Sequence, residues 1–197
     1  MLARAVFLDR DGVINRDSAD YITRFEQFEL YPGSLDALRR LTAAGFALIV
    51  VTNQSAVGRG WIPLDELERI HAHLRASVAA AGGRILDILV CPHRPSEGCA
   101  CRKPRPGLLH AAGAAHGIDM GSAVMIGDSR RDIESARSAG VGTTILVRTG
   151  NGELAGRELA EAGCPPDVTV EDLAAAADWL VANRSRPAIG SSGEVRP

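Results

Sequence analysis

The chain has 197 residues and a mass of 20.8 kDa, which suits one domain with a real hydrophobic core and leaves no room for a second full one. Its 22 basic and 24 acidic side chains leave a formal charge of −2, and only 4% of residues are aromatic, so neither a nucleic-acid field nor base-stacking platforms are implied. No apolar run approaches the roughly 20 residues of a membrane span, which leaves small-molecule chemistry as the expectation.

The N-terminal segment runs directly into Ala5–Leu8, an apolar stretch without alternation of the kind buried on both faces of a parallel sheet. It lacks a long apolar segment with a small-residue cleavage site, so a cytoplasmic protein is expected. The apolar run ends in Asp9-Arg10-Asp11-Gly12. Side chains repeat every two residues along an extended chain, so Asp9 and Asp11 project to one side, and Gly12 lets the chain turn. Two adjacent carboxylates at a strand end are costly unless a cation or a proton lies between them, and a hard divalent metal is the expected occupant.

From Asn15 to Tyr31 no clean period is visible, and a long loop beside the site is expected. Pro32-Gly33-Ser34 opens a helix with Leu35, Leu38 and Leu41 at helical spacing, closed by Gly45. A second strand, Phe46–Val51, ends in Thr52-Asn53-Gln54-Ser55, and a loop over 53–63 follows. Leu64, Leu67, Ile70, His71 and Leu74 mark an amphipathic helix to about Ala81. The third strand, Ile85–Val90, delivers Cys91-Pro92-His93. A helix from Leu108 to His116, a fourth strand Ala123–Ile126 ending in Gly127-Asp128-Ser129-Arg130-Arg131-Asp132, a short helix over 133–139 and a fifth strand Thr144–Val147 complete the alternation. Residues 149–166 read as a surface wrap, 170–182 as a last helix, and 184–197 as a mobile tail beyond a single domain of residues 1–183. His71, His73, His110 and His116 show no partner pattern and read as structural or surface residues.

Five parallel strands alternating with helices predict an α/β doubly wound parallel sheet of Rossmann-like kind, whose ligands bind beyond the carboxyl ends of the strands. Asp9 with Asp11, Thr52 with Asn53, Cys91 with His93, and Asp128 with Asp132 all sit at such ends and should surround one crevice. Asp9, Asp11 and Asp128 offer oxygen ligands suited to Mg2+. Thr52 and Asn53 supply groups that hold phosphate oxygens, and Lys103 adds a positive charge for a transferring phosphoryl group. A carboxylate can attack phosphorus while its neighbour protonates the leaving oxygen and then activates water.

Asp9-Arg10-Asp11-Gly12, Thr52-Asn53, Lys103-Pro104 and Gly127-Asp128-Ser129-Arg130-Arg131-Asp132 resemble the four ordered motifs of the haloacid dehalogenase superfamily of phosphohydrolases, over roughly Val6 to Val147. The resemblance implies Asp9 as nucleophile, Asp11 as general acid/base, and Thr52 and Lys103 on the phosphate. It also implies Mg2+ held by Asp9, the backbone carbonyl of Asp11, and Asp128. Asp132 matches the last acidic position and is assigned to orienting Lys103 or a metal-bound water. The intervals between Asp11, Thr52 and Lys103 are already filled, so a capless member with an open crevice is expected.

Cys91, His93, Cys99 and Cys101 match a closed tetrahedral Zn2+ site of structural type. Cys101 is followed by Arg102-Lys103, so zinc would pin the loop that carries the phosphate-binding lysine. The loop is similar to those of two branches of the superfamily, the heptose bisphosphate phosphatases and the histidinol-phosphate phosphatases. Its compact spacing resembles the second branch. The segments around Thr52, Gly58-Arg59-Gly60, Arg102-Lys103 and Leu146–Gly150 resemble the first, which is the expectation. Arg59 and Arg102 are candidates for a second phosphate or sugar hydroxyls. The expected protein is a monomer acting on a small phosphorylated sugar, without nucleic-acid or membrane partners.

Overall fold

The computed structural model describes residues 4–183. In chain order the elements are β1 (Ala5–Leu8), α1 (Ser34–Ala43), β2 (Ala47–Asn53), α2 (Ser55–Gly58), α3 (Leu64–Ala80), β3 (Ile85–Cys91), α4 (Gly107–His116), β4 (Val124–Gly127), α5 (Arg130–Ser138), β5 (Thr143–Val147), α6 (Gly152–Glu161), β6 (Val168–Val170) and α7 (Leu173–Ala182). The six strands form one parallel sheet in the order β3-β2-β1-β4-β5-β6. Chain order reverses at β1, which places Asp9 at the point where loops from both halves of the sheet diverge and a crevice opens.

All four residues of β1 are buried because helices cover both faces of the sheet. Val6 and Leu8 point into one core with Leu48, Val50, Val124 and Ile126, under α1, α3 and α7. Ala5 and Phe7 point into the other with Ile49, Val51 and Met125, under α4 and α5. Each fully buried Leu, Ile or Phe contributes on the order of 2 kcal/mol of transfer free energy, so the strands that present the site are the most strongly anchored part of the chain. On α3 the buried stripe is Leu67, Ile70, His71, Leu74 and Val78, and helical periodicity therefore carries a histidine into the interior.

Three expectations change. Residues 149–166 do not wrap the surface: Gly152–Glu161 forms α6, whose Ala155 and Leu159 pack with Ile133 and Leu146. One apolar pair four residues apart is enough to seat a helix here, although it is too sparse to show as a period. Val168–Val170 is a sixth strand at the sheet edge, and the last helix begins only at Leu173, where the Asp172 side chain accepts from the Ala175 N–H at 2.8 Å. Residues 55–58 form one turn of helix inside the expected 53–63 loop. The 15–31 stretch is irregular, with a single 3-10 turn at Phe25–Gln27. The tail at 184–197 lies outside the described residues. No cap domain interrupts the sheet among the described residues.

Candidate active site

The crevice beyond β1, β2 and β4 has a volume of about 290 Å³ and is lined by Asp9, Asp11, Thr52, Asn53, Arg102, Lys103 and Asp128, among others. Asp9 lies at the end of β1. Its Oδ1 accepts from the Arg10 N–H at 2.8 Å and pairs with Lys103 Nζ at 3.0 Å, whereas Oδ2 has no donor among the described residues. Lys103 is 2% exposed and its ammonium is fully engaged, pairing with Asp132 Oδ1 at 2.6 Å and donating to the Val51 carbonyl at 2.8 Å. Burial alone would lower the Lys103 pKa, but the charges of Asp132 and Asp9 raise it, so the ammonium is permanent.

Asp132 divides its carboxylate. Oδ2 accepts from the Ser129 N–H at 3.1 Å and its hydroxyl at 2.6 Å, closing the N-terminus of α5, while Oδ1 faces Lys103. The same residue thus starts a helix and holds the lysine.

Asp11 is bound on nearly every side. Oδ1 accepts from Arg10 Nε at 3.0 Å, Arg10 Nη2 at 2.8 Å and Asn15 Nδ2 at 2.8 Å; Oδ2 accepts from Gln54 Nε2 at 2.7 Å and from Arg10 Nη2 at 3.0 Å. Burial would raise the pKa of this carboxyl, but the Arg10 charge and the donated hydrogen bonds hold it below its ordinary value. Arg10 is wholly buried, its Nη1 3.0 Å from His71 Nε2, and its guanidinium lies over the Phe28 ring at 5.7 Å. Burial and the Arg10 charge push His71 down to about 3, so its neutral ring accepts from Arg10.

Asp128 at the end of β4 is held from the other half of the sheet. Its Oδ2 accepts from the Asn151 N–H at 2.8 Å and from Asn151 Nδ2 at 3.3 Å, and Oδ1 has no donor among the described residues. The loop after β5 approaches so closely that a Cβ on Gly150 would lie 2.2 Å from Asp128 Oδ2, and one on Gly12 would lie 2.1 Å from it. Both glycines have positive φ, +59° and +83°, and no other residue fits either place.

Asp9, Asp128 and Asp132 bring carboxylate oxygens within 4.8 Å of one another. Burial, and then the neighbouring carboxylates, push Asp9 up to about 7 and Asp128 up to about 8. Two donor-free oxygens, Asp9 Oδ2 and Asp128 Oδ1, therefore sit where negative charge is uncompensated. An all-oxygen set of this kind fits a hard cation such as Mg2+.

The second cluster joins Cys91 at the end of β3 to the loop before α4. Its sulfurs lie 3.3–3.6 Å apart, and His93 Nδ1 lies 3.6 Å from Cys91 Sγ and 3.3 Å from Cys101 Sγ. A tetrahedron with Zn–S of about 2.3 Å has sulfurs about 3.8 Å apart, so the set fits Zn2+. Burial and the Cys101 and Cys99 thiols push Cys91 up to about 12, whereas at Cys99 burial is outweighed by the hydrogen bonds to Cys101 and Cys91, which bring that thiol down to about 7.

Of the residues expected at the site, Arg59 does not itself line the crevice, although Tyr21, which it reaches, does. Its guanidinium stacks over Trp61 at 4.8 Å and Tyr21 at 5.9 Å. Asn53 reaches the crevice, yet its amide is spent on the Lys103 backbone. Thr52 is buried, and its Oγ1 accepts from Gln54 Nε2 at 2.9 Å. Asn15, Gln54, Asn151, Arg10 and His71 were not expected as parts of the site. Gln54 carried a signal, because it lies two residues beyond Thr52 and shares its direction.

The parallel sheet, its reversal at β1 and the carboxylates gathered there define a haloacid dehalogenase-like hydrolase. A HAD-hydrolase-like family model matches residues 100–176. The chain is 45% identical to D-glycero-beta-D-manno-heptose-1,7-bisphosphate 7-phosphatase of Pseudomonas putida over 179 residues, 90% of this chain and 99% of the relative. It is 42% identical to the Escherichia coli enzyme of that name over 153 residues, 74% and 80% of the two chains. A solved structure of the D,D-heptose 1,7-bisphosphate phosphatase of Bordetella bronchiseptica, complexed with magnesium and phosphate, superposes with a TM-score of 0.85 at 39% identity, over 91% of this chain and 99% of that one. The chain belongs to this heptose-bisphosphate phosphatase family and is a phosphatase.

Proposed function

We propose that the chain hydrolyses phosphomonoesters through an aspartyl-phosphate on Asp9, and that it removes the 7-phosphate of D-glycero-β-D-manno-heptose 1,7-bisphosphate in nucleotide-heptose biosynthesis. The carrying observation is the asymmetry of Asp9, with Oδ1 fixed by Lys103 and the Arg10 amide and Oδ2 bare. A carboxylate clamped at one oxygen is aimed at its target with the other. The names of the relatives support the substrate and its anomer.

Oδ2 of Asp9 attacks phosphorus and the bond to the sugar oxygen breaks. Asp11 gives its proton to that oxygen. Water then attacks the phosphorus, its proton goes to Asp11, and Asp9 is released as carboxylate. The incoming phosphate dianion raises the proton affinity of Asp11 against the pull of Arg10. Lys103, by exchanging one of its three present partners for a phosphoryl oxygen, and the Thr52 hydroxyl hold the phosphoryl group, and Arg102 at the crevice wall meets the second phosphate. Held by Asp9, Asp128 and the Asp11 carbonyl, Mg2+ supplies charge neutralisation at the phosphoryl group. Zn2+ on Cys91, His93, Cys99 and Cys101 fixes the loop that carries Lys103, and Asp132 orients that lysine. The working unit is a monomeric domain of residues 1–183 in the cytoplasm; among the described residues no helix is long and apolar enough to cross a membrane.

The compact Cys91-x-His93-x5-Cys99-x-Cys101 spacing favours a second reading, histidinol phosphate as substrate. Comparing kcat/KM for both heptose bisphosphate anomers and histidinol phosphate under Mg2+ decides between them: the β-anomer should be best, and higher efficiency on histidinol phosphate overturns the assignment. Asp9→Asn should abolish turnover and retain phosphate binding; turnover surviving in that variant would exclude Asp9 as nucleophile.

A further inference from the structure

Arg10 is the largest side chain with no solvent exposure, and it lies directly behind the acid–base carboxylate without lining the crevice. Three of its hydrogen bonds end on Asp11 and a fourth on His71. We infer that Arg10 and His71 are positioning residues for proton transfer, a buried chain from α3 that fixes the Asp11 carboxylate so that Oδ2 is the oxygen that carries the proton to the leaving group. This rests on the acid–base role proposed for Asp11.

The geometry separates the two oxygens. Oδ1 takes three donors, two from Arg10 and one from Asn15, which saturates a carboxylate oxygen. Oδ2 takes Gln54 and only a shared Arg10 hydrogen at 3.0 Å. Capacity for one more partner therefore remains at Oδ2. A guanidinium fork fixes the plane of the carboxylate it grips, but the fork itself has to be held, because its stem is long and rotatable. His71 Nε2 and the Phe28 ring supply that hold, and the depth of His71 on the core face of α3 makes it rigid. A pair needed only for charge balance would require no second anchor on the far side of the guanidinium.

The test exploits leaving-group chemistry. Expulsion of a sugar alkoxide needs the Asp11 proton, whereas p-nitrophenolate departs without it. Single-turnover phosphoryl transfer is measured with heptose 1,7-bisphosphate and with p-nitrophenyl phosphate, on metal-loaded wild type, Asp11→Asn, Arg10→Lys, His71→Leu and His71→Gln. Arg10→Lys retains the buried charge and loses the fork. Expected is a loss of about tenfold or more on the sugar ester in Arg10→Lys and His71→Leu, with KM and the p-nitrophenyl rate within about twofold of wild type. His71→Gln, which restores an acceptor, should recover the sugar-ester rate. Arg10→Lys added to Asp11→Asn should cost nothing further. Equal loss on both substrates, or none on either, in folded Arg10→Lys overturns the inference, and if His71→Leu does not fold, failure of His71→Gln to keep the sugar-ester rate does so as well. If Asp11→Asn itself shows no preference between substrates, the acid–base role of Asp11 falls, and the inference falls with it.

Discussion

Both ends of the Asn53 side-chain amide are bonded to the backbone of Lys103: Nδ2 donates to its carbonyl at 3.1 Å, and Oδ1 accepts from its N–H at 3.1 Å. The end of β2 is thereby stitched to the loop that carries the lysine, 50 positions away in the chain. In the proposed mechanism Asn53 bears on phosphate through Lys103, since its own amide is taken up by the Lys103 backbone. Asn53→Ala should therefore lower kcat about tenfold to a hundredfold and cost about 1–3 kcal/mol of stability, because two backbone groups lose their partners. Asn53→Asp should be at least as damaging, since it sets a carboxylate against the Lys103 carbonyl. Wild-type kcat in a folded Asn53→Ala protein would show that the loop is positioned without this clamp.

The same loop is held from its other side by the cysteine cluster. Cys101 precedes Lys103 by two residues, and the Gln54 N–H donates to the Cys91 carbonyl at 2.8 Å, so the cysteine cluster, β3 and the turn after β2 are mechanically joined. Removing Zn2+ with a chelator should lower both Tm and kcat, with Mg2+ in excess throughout and the zinc content followed by elemental analysis. Re-addition of Zn2+ should restore both. A zinc-free protein with full activity and unchanged Tm would rule out the coupling.

Much of this was legible in the sequence, for a physical reason. Strands buried on both faces are uninterrupted apolar runs, and each ends where polar chemistry begins, so Asp9, Thr52 and Asp128 stand out as breaks in pattern. The cluster of Cys91, His93, Cys99 and Cys101 is legible because its members are close in sequence. What escaped was whatever depends on distance in sequence. His71 reads as one more position on the stripe of α3, and only the packing of α3 against the sheet brings it to Arg10. Asn151 lies in a loop without a pattern, and its bonds to Asp128 come from β5 lying beside β4. Helix α6 was lost because only Ala155 and Leu159 are deeply buried among its apolar side chains. Arg59, named for its charge, stacks on Trp61 and on the crevice-lining Tyr21, an aromatic seat that its sequence neighbours do not announce.

The protonation of Asp9 and Asp128 ties stability to pH and to Mg2+. Without metal their pKa values are raised from 3.8 to about 7 and about 8, so the folded protein binds more protons than the unfolded chain between these limits. The corresponding stability is present below about pH 4 and is lost as pH rises through 7 and 8. Asp11, held below its ordinary value of 3.8, acts in the opposite sense: its contribution is present above about pH 4 and is lost as pH falls through its lower folded value. Mg2+ displaces those protons, so the Tm increase it produces should be larger near pH 8 than near pH 5.5, by about 4 °C or more. Binding of Mg2+ near pH 6.5 should release protons, measurable as a buffer-dependent heat in calorimetry. An equal Tm gain at both pH values would mean that the carboxylates are already ionised without the metal.

The closeness of Gly150 to Asp128 separates a local effect on the metal site from general strain. Gly150 and Gly140 both have positive φ, +59° and +75°, so alanine at either place incurs the left-handed penalty of about 1–2 kcal/mol. Around Gly140 nothing lies within 4 Å of an added Cβ, whereas at Gly150 it would meet Asp128 Oδ2 at 2.2 Å and the Gly12 Cα at 2.7 Å. Gly150→Ala has to push Asp128 out of line, and with it the bond from the Asn151 N–H. It should weaken Mg2+ binding about tenfold or more and lower kcat in parallel. Gly140→Ala should lower Tm by a few degrees and leave Mg2+ affinity and kcat within about twofold. Titration of Mg2+ by activity and by Tm in the two variants checks this, and equal Mg2+ affinities would show that Asp128 is not set by the loop after β5.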